Sequence, residues 1–265
     1  MQTMEKVRTE TACVTRDVLS VGLAENLEQL RQAQRLRWQV FRGELNARLN
    51  GLDEGLDVDR FDDYAIHVMV RDPAGAVVAC TRVIFDVHAA SGDGFYAQSE
   101  FEMASILSMP GRIMEVGRTC VRQDHRDGAA ISVLWSALGR LIAGNGVDYL
   151  IGCASVPLDG DRAAASAVLS LLRRDHLSEP RLRVIPRLSL PPLPEPAAGN
   201  PQPPPLLKAY LRLGAKVCGE PFWDRDFNVA DAFVLVDVAR MDPRYMRHFL
   251  RRARSLPPQR GQWRA

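Results

Sequence analysis

The sequence predicts a mixed α/β domain in which a central sheet carries helices on both faces. Three observations lead there. Helix-like and strand-like stretches follow the order helix, hairpin, strand, helix, strand, helix, then helix and strand, which fits a layered sheet with helices packed on it. A hairpin signal at 64–85 makes part of that sheet antiparallel. No GxGxxG follows the first strand, so a regular series of βα units around a dinucleotide is not expected.

The elements can be placed in order. Residues 1–17 are polar and read as a loose arm. Val18–Ala24 alternates weakly and fits a first strand. Glu25–Leu45 has apolar residues at roughly helical spacing, with no Pro or Gly before Gly43, and is expected to be helical. Asn50–Asp63 is acidic and turn-rich. Tyr64–Arg71 and Ala76–Phe85 form the hairpin around Asp72-Pro-Ala-Gly75. Ser99–Leu107 is expected to be a short helix, with Ser99 as N-cap and Glu102 at the capping-box position. Arg112–Val121 is a strand, Gln123–Gly128 a polar turn, and Ala129–Ala143 a helix ended by Gly144-Asn-Gly146. Asp148–Ser155 is an apolar strand of the kind that is buried on both faces, and Ala163–Arg173 a further helix.

The composition then changes. Ten of the seventeen prolines fall between Pro180 and Pro205, so about 180–205 reads as an extended insertion or linker. A short helix at Leu206–Leu213, a strand at Ala232–Val238 and an arginine-rich helix at Pro243–Arg254 follow. We therefore expect one domain over 18–255, with a flexible tail at 256–265.

Bulk composition excludes several classes. The 265 residues suffice for a full core. Hydrophobic content of 46% and charged content of 25% are ordinary for a globular protein. The net charge of +2 singles out no partner, and without basic–aromatic interleaving no nucleic acid is expected. The five cysteines are scattered without a CxxC, which argues against a disulfide framework and a zinc site; no metal is expected. The N-terminus lacks the apolar core of a signal peptide. No apolar run reaches the ~18 residues of a membrane span. A cytoplasmic location is expected.

Chemistry concentrates at 112–143. A strand ending in Cys120-Val-Arg122 enters the turn Gln-Asp-His-Arg126-Asp-Gly128-Ala129-Ala130, and then a long helix. Small residues let backbone approach a ligand, and the first amides of the helix are unpaired donors for a phosphate. Arg126 would add a charge-assisted contact. On the preceding strand lies Glu115-Val-Gly-Arg118. Residues three apart point to opposite faces of an ideal strand unless a bulge intervenes, and Gly117 would permit one.

The strand-turn-helix resembles the acyl-donor site of the GNAT superfamily, which implies a GNAT-like, mostly antiparallel sheet. The superfamily pattern Arg/Gln-x-x-Gly-x-Gly/Ala is compressed here to a single glycine. A pyrophosphate is then less well served than the single phosphate of an acyl carrier protein. The order Arg37-Trp-Gln-Val-Phe41, Asp59-Arg-Phe-Asp62, Arg82 and Glu115-x-x-Arg118 is similar to that of acyl-homoserine lactone synthases, GNAT-like enzymes that use acyl carrier protein. The segments 204–216 and 226–233 resemble the C-terminal half of ornithine-acyl carrier protein N-acyltransferases. That resemblance implies transfer of a 3-hydroxyacyl group from acyl carrier protein to the α-amine of L-ornithine, giving lyso-ornithine lipid. No cofactor is implied beyond the phosphopantetheine thioester of the co-substrate.

Roles follow from the reaction. A protonated amine must lose a proton before it attacks, and Glu115 is the candidate base; a salt-bridge partner for Arg118 or Arg82 is the alternative. Arg82 or Arg118 would clamp the substrate carboxylate, and Asp59 or Asp62 the side-chain ammonium. Arg37 joins this group through the resemblance. Arg126, Gly128, Ala129 and Ala130 would hold the acyl donor. The last helix sets Tyr245, Met246, Phe249 and Leu250 against five arginines. Such a helix suits an anionic membrane surface or an acidic carrier protein.

Overall fold

The computed structural model describes residues 19–49 and 55–241. The polar arm, the tail and the arginine-rich stretch 243–254 lie outside the described residues. Among the described residues ten strands are formed: β1 (Ser20–Leu23), β2 (Ile66–Arg71), β3 (Val77–Phe85), β4 (Phe101–Glu102), β5 (Ile113–Val121), β6 (Tyr149–Pro157), β7 (Ile185–Pro186), β8 (Lys216–Val217), β9 (Phe222–Asp224) and β10 (Val229–Asp237). The helices are α1 (Leu27–Trp38), α2 (Asp86–Ser91), α3 (Ala104–Leu107), α4 (Ala129–Asn145), α5 (Arg162–Asp175) and α6 (Pro205–Arg212).

Eight strands make one sheet in the order β1-β2-β3-β5-β6-β10-β8, with β9 also paired to β10. Every pairing is antiparallel except β5 with β6, so the expected mixed, mostly antiparallel sheet is what forms. The parallel pairing is short. It covers Ile113 with Tyr149, Met114 with Leu150 and Glu115 with Ile151, then stops. Beyond it β6 stays paired to β10 as far as Pro157, and β5 to β3 as far as Val121. The two strands therefore part and leave an opening in the middle of the sheet.

Alternation along the strands builds two faces. Met114, Val116, Val83, Phe85, Leu150, Ala154 and Val234 point to one face and meet Leu134, Leu138 and Leu141 of α4, Leu172 of α5 and Tyr210 of α6. Ile84, Ile113, Ile151, Phe233 and Leu235 point to the other and pack on Phe61, Phe95, Phe101 and Ile106. Next to that second core, α1 places Ala33 and Leu36 on Met69, Cys80 and Cys120. Helices thus cover both faces, and the burial of these apolar side chains is the main stabilising term.

Local chemistry explains the element ends. Asn26 caps α1 by accepting from the amide of Gln29 at 3.0 Å. Asp161 caps α5 through Ala163 and Ala164. Gly146 ends α4 at φ 61°. The expected single helix over 25–45 is instead α1 followed by a π-helical stretch, Gln39–Glu44, and Leu27 at the first position of α1 is exposed.

Two further expectations change. The Ser99–Leu107 helix does not form as one piece. Tyr96–Ser99 is a 3₁₀ turn, Phe101 and Glu102 pair with Pro186 and Ile185, and only Ala104–Leu107 is α-helical. Phe101 is fully buried against Phe222 and Phe233, and burying that ring outweighs the capping preference of Ser99. The proline-rich segment is also no free linker. Its backbone is tied to the body by Val184 to Cys218, Arg187 to Glu100, Trp223 to Leu188 and Ala197 to Ala163, at 2.7–3.0 Å. No helix among the described residues is long and apolar enough to cross a membrane.

Candidate active site

The charged residues singled out in the sequence converge beside the β5–β6 opening. Arg37 comes from the last turn of α1, Arg82 from β3, and Glu115 and Arg118 from β5. The segment 57–63 supplies the acids, and there Asp59 caps a 3₁₀ turn by accepting from the amide of Phe61 at 3.0 Å.

Three arginines and three aspartates close into an alternating ring. Arg37 Nη2 lies 2.6 Å from Asp62 Oδ2, and Arg37 Nε 2.8 Å from Asp57 Oδ2. Arg118 continues the ring to Asp57 at 3.6 Å and to Asp59 at 3.2 Å. Arg82 closes it, bonded to Asp59 and standing 2.9 Å from Asp62. Each cation meets two anions and each anion two cations, so the ring is neutral. Burial alone would raise the Asp62 carboxyl, but the hydrogen bonds and charge of Arg37 hold it well below the usual carboxylate range. For Asp59 the charges of Arg82 and Arg118 likewise outweigh burial. His67 sits under the ring, and burial pushes it down to about 4, so it is neutral.

The ring is sealed on one side and open on the other. Arg37, Arg82, Asp57 and Asp62 are all buried. The side chains of Arg118 and Asp59 keep 15% and 20% exposure and form the open edge. An aromatic collar fixes Arg118, whose guanidinium carbon lies 5.2, 5.3 and 5.9 Å from the ring centres of Tyr96, Phe227 and Phe41. Asp57 was not distinguished from the rest of the acidic turn in the sequence.

Glu115 is buried and accepts two backbone hydrogen bonds at 2.7 Å, from Tyr96 and Ala97. It does not pair with an arginine of the ring at ion-pair distance. Burial raises its pKa to about 7, against the opposing pull of the two amides and of Arg82. This carboxyl is therefore poised to exchange a proton near neutral pH.

The same face holds acids that the sequence reading missed. Glu100, Asp224 and Asp231 bring carboxylate oxygens within 4.8 Å of one another. Burial raises all three, Asp231 to about 7. The signal in the sequence was Asp231, a lone acid in the apolar run Val229–Val236 whose same-face neighbours two and four residues on, Phe233 and Leu235, point to the core.

Gly128, Ala129 and Ala130 stand at the N-terminus of α4, just after Arg126. Gly128 takes φ 96° there. Arg126 is engaged, however, with Nε donating to the carbonyl of Val121 at 2.9 Å and Nη2 to Glu44 at 2.5 Å. Asp127 accepts from the amide of Ala129 at 2.8 Å, so the first amide of the helix already has an anionic partner.

Residues 36–136 match the family described as acetyltransferase (GNAT) domain. The chain is similar to solved structures of an N-acyl amino acid synthase from uncultured soil microbes (13% identity, 84% of this chain and 93% of that one, TM-score 0.51). It is also similar to a CoA-dependent acyl-homoserine lactone synthase (16%, 91% of each chain, 0.52). These likenesses concern the fold. In sequence it is 34% identical to the L-ornithine N(alpha)-acyltransferase of Rhodobacter capsulatus, over 88% of this chain and 95% of that protein. With the enzyme of the same name from Brucella abortus it shares 30%, over 87% and 88%. The chain belongs to the L-ornithine N(alpha)-acyltransferase family.

Proposed function

We propose that the protein transfers a long acyl group from the phosphopantetheine thioester of acyl carrier protein to the α-amine of L-ornithine, forming an amide. With a 3-hydroxyacyl donor the product is lyso-ornithine lipid, the first step of ornithine lipid synthesis. The observation that carries the chemistry is Glu115. Its carboxyl has a pKa of about 7 and stands at the last paired residue before β5 and β6 part. Ornithine as acceptor follows the names of the relatives.

The thioester reaches the reaction centre through the opening between the strands. The acceptor lies on the Glu115 face, and its ammonium gives a proton to Glu115, directly or through water. The free amine attacks the thioester carbonyl. Backbone amides bordering the opening support the oxyanion; its collapse breaks the C–S bond, and the proton shed by the new amide nitrogen leaves with the sulfur as the carrier thiol. Arg118, at the open edge of the ring, takes the substrate carboxylate. Arg37, Arg82, Asp57, Asp59 and Asp62 hold that guanidinium in place.

The donor site supports a carrier-protein arm over coenzyme A. The turn has one glycine, Arg126 is already bonded, and Asp127 brings negative charge to the helix end. One phosphate is better accommodated there than a pyrophosphate with a further phosphate. The test is to offer matched acyl carrier protein and CoA thioesters to the purified protein with ornithine and to weigh the product. N-acylornithine formed faster from the carrier thioester is expected. No thioester consumption with any amino acid would reject the reading.

A further inference from the structure

We propose that Glu100, Asp224 and Asp231 form the pocket for the distal ammonium of the acceptor amino acid, and so select a diamino acid; this deepens the ornithine reading and rests on it. The three carboxylates come from different elements. Glu100 ends the 3₁₀ turn Tyr96–Ser99, Asp224 ends β9 and Asp231 lies in β10. Each places an oxygen within 4.8 Å of the others.

Their partners are unequal. Asp224 accepts from the amides of Asp226 and Phe227 at 2.8 and 3.0 Å. Asp231 accepts from Ser155 Oγ at 2.6 Å. Glu100 is 3% exposed, and neither of its oxygens meets a hydrogen-bond partner at ordinary geometry. The Cys153 thiol and the Tyr96 hydroxyl lie beside it. Arg118 acts on Asp224 and Asp231, but it already serves Asp57 and Asp59. Burial and mutual repulsion hold these acids toward the protonated form, and a cation among them favours the carboxylates.

A primary ammonium suits this site. It is a compact charge with three donors, and three carboxylates face it. A divalent cation would need most of the oxygen lone pairs, whereas two of the three carboxylates already accept hydrogen bonds. The site also lies on the correct face. Glu115 takes the amides of Tyr96 and Ala97, and Glu100 closes the same turn. The Cys153 thiol interacts with Glu100, Asp231 and Glu115 alike, so an acceptor whose α-amine meets Glu115 directs its side chain toward the three acids. Asp59 and Asp62, the candidates that the sequence offers for this ammonium, are occupied, Asp59 by Arg82 and Arg118 and Asp62 by Arg37 and Arg82.

The experiment compares ornithine with norvaline, which has the same carbon chain and no distal amine. In wild type, turnover and calorimetric binding both favour ornithine. In Glu100→Gln and Asp231→Asn the ratio of kcat/KM for ornithine over norvaline falls about tenfold or more, mainly through KM, and the binding preference falls with it. Thermal melts check that the variants are folded. An unchanged ratio in both readouts overturns the proposal. So does loss of wild-type activity on EDTA treatment that returns with a divalent metal ion. Preferential ornithine binding that the variants lose, without acylation by wild type, would keep the pocket and reject the transferase reading.

Discussion

Glu115 and Arg118 serve the same face of the sheet although they stand three residues apart on one strand. Arg118 itself makes this possible, with φ 51°. The β3–β5 register passes from Cys80 opposite Cys120 to Arg82 opposite Gly117, so one extra residue lies on β5. A left-handed arginine costs roughly 1–2 kcal/mol, which the ring and the aromatic collar offset. Arg118→Gly and Arg118→Ala both lose the guanidinium, but only glycine is at ease at this φ. Glycine should therefore be the more stable of the two by about 1 kcal/mol in urea unfolding, the reverse of the usual order in a strand. Gly117, in contrast, has no positive φ and open space where a Cβ would go. Gly117→Ala should change stability by less than about 0.5 kcal/mol.

Glu115→Gln should lower kcat by about 10² to 10⁴. As a base the carboxyl acts deprotonated, so wild-type kcat/KM should rise with pH, bend near 7 and then level off. The variant should lose that bend. Stability has the opposite slope. The folded pKa of about 7 exceeds the ordinary 4.5, so folded protein binds the proton more tightly and loses stability as pH rises from 4.5 to 7. Calorimetric melts across this range should show a shallower fall in Glu115→Gln.

The charge ring should behave as a unit. Arg37→Ala leaves Asp57 and Asp62 buried without that cation, and a cost of roughly 3–5 kcal/mol is expected. In the double variant with Asp62→Ala the loss should be smaller than the sum of the two singles by about 1 kcal/mol or more. Additive losses in a urea double-mutant cycle would show that the two side chains act independently.

Gly152 stands where β5 and β6 begin to part. A Cβ there would lie 2.5 Å from the carbonyl oxygen of Val116 and 3.4 Å from Tyr210 Oη. Backbone cannot yield as a flexible side chain does, so Gly152→Ala should cost about 1–3 kcal/mol. It should also raise KM for the acyl donor, because the opening must change width. Steady-state kinetics at varied donor concentration measure this.

Asp127→Ala should act in two directions. The cap on Ala129 is lost, at about 0.5–2 kcal/mol of stability. A negative charge also leaves the end of the helix where the donor phosphate is proposed to bind, and the KM for acyl carrier protein should fall. A higher KM would mean that Asp127 helps the donor instead of opposing it.

Much of the fold was legible because its signals are local. The hairpin turn at Asp72–Gly75, the cap of α4 and the apolar runs of β5 and β6 depend on residues close in sequence. Misplaced elements were those set by distant partners. Phe101 belongs to a strand because Phe222 and Phe233 lie against it, and the proline segment is held by amides and carbonyls from three separate parts of the chain, around Glu100, Ala163 and 218–223.

The sequence by itself determined the order of elements, the strand-turn-helix over 112–143, and the presence of Arg37, Asp59, Asp62, Arg82, Glu115 and Arg118 in a series. Only the tertiary structure decided what those charges do. It closed five of them with Asp57 into a neutral ring, left Glu115 out on two backbone amides, and gathered Glu100, Asp224 and Asp231 from three elements. The physical reason is that periodicity and capping act over a few residues. Ion pairing, desolvation and the pKa of a buried carboxyl depend on which distant groups the fold brings within a few ångströms.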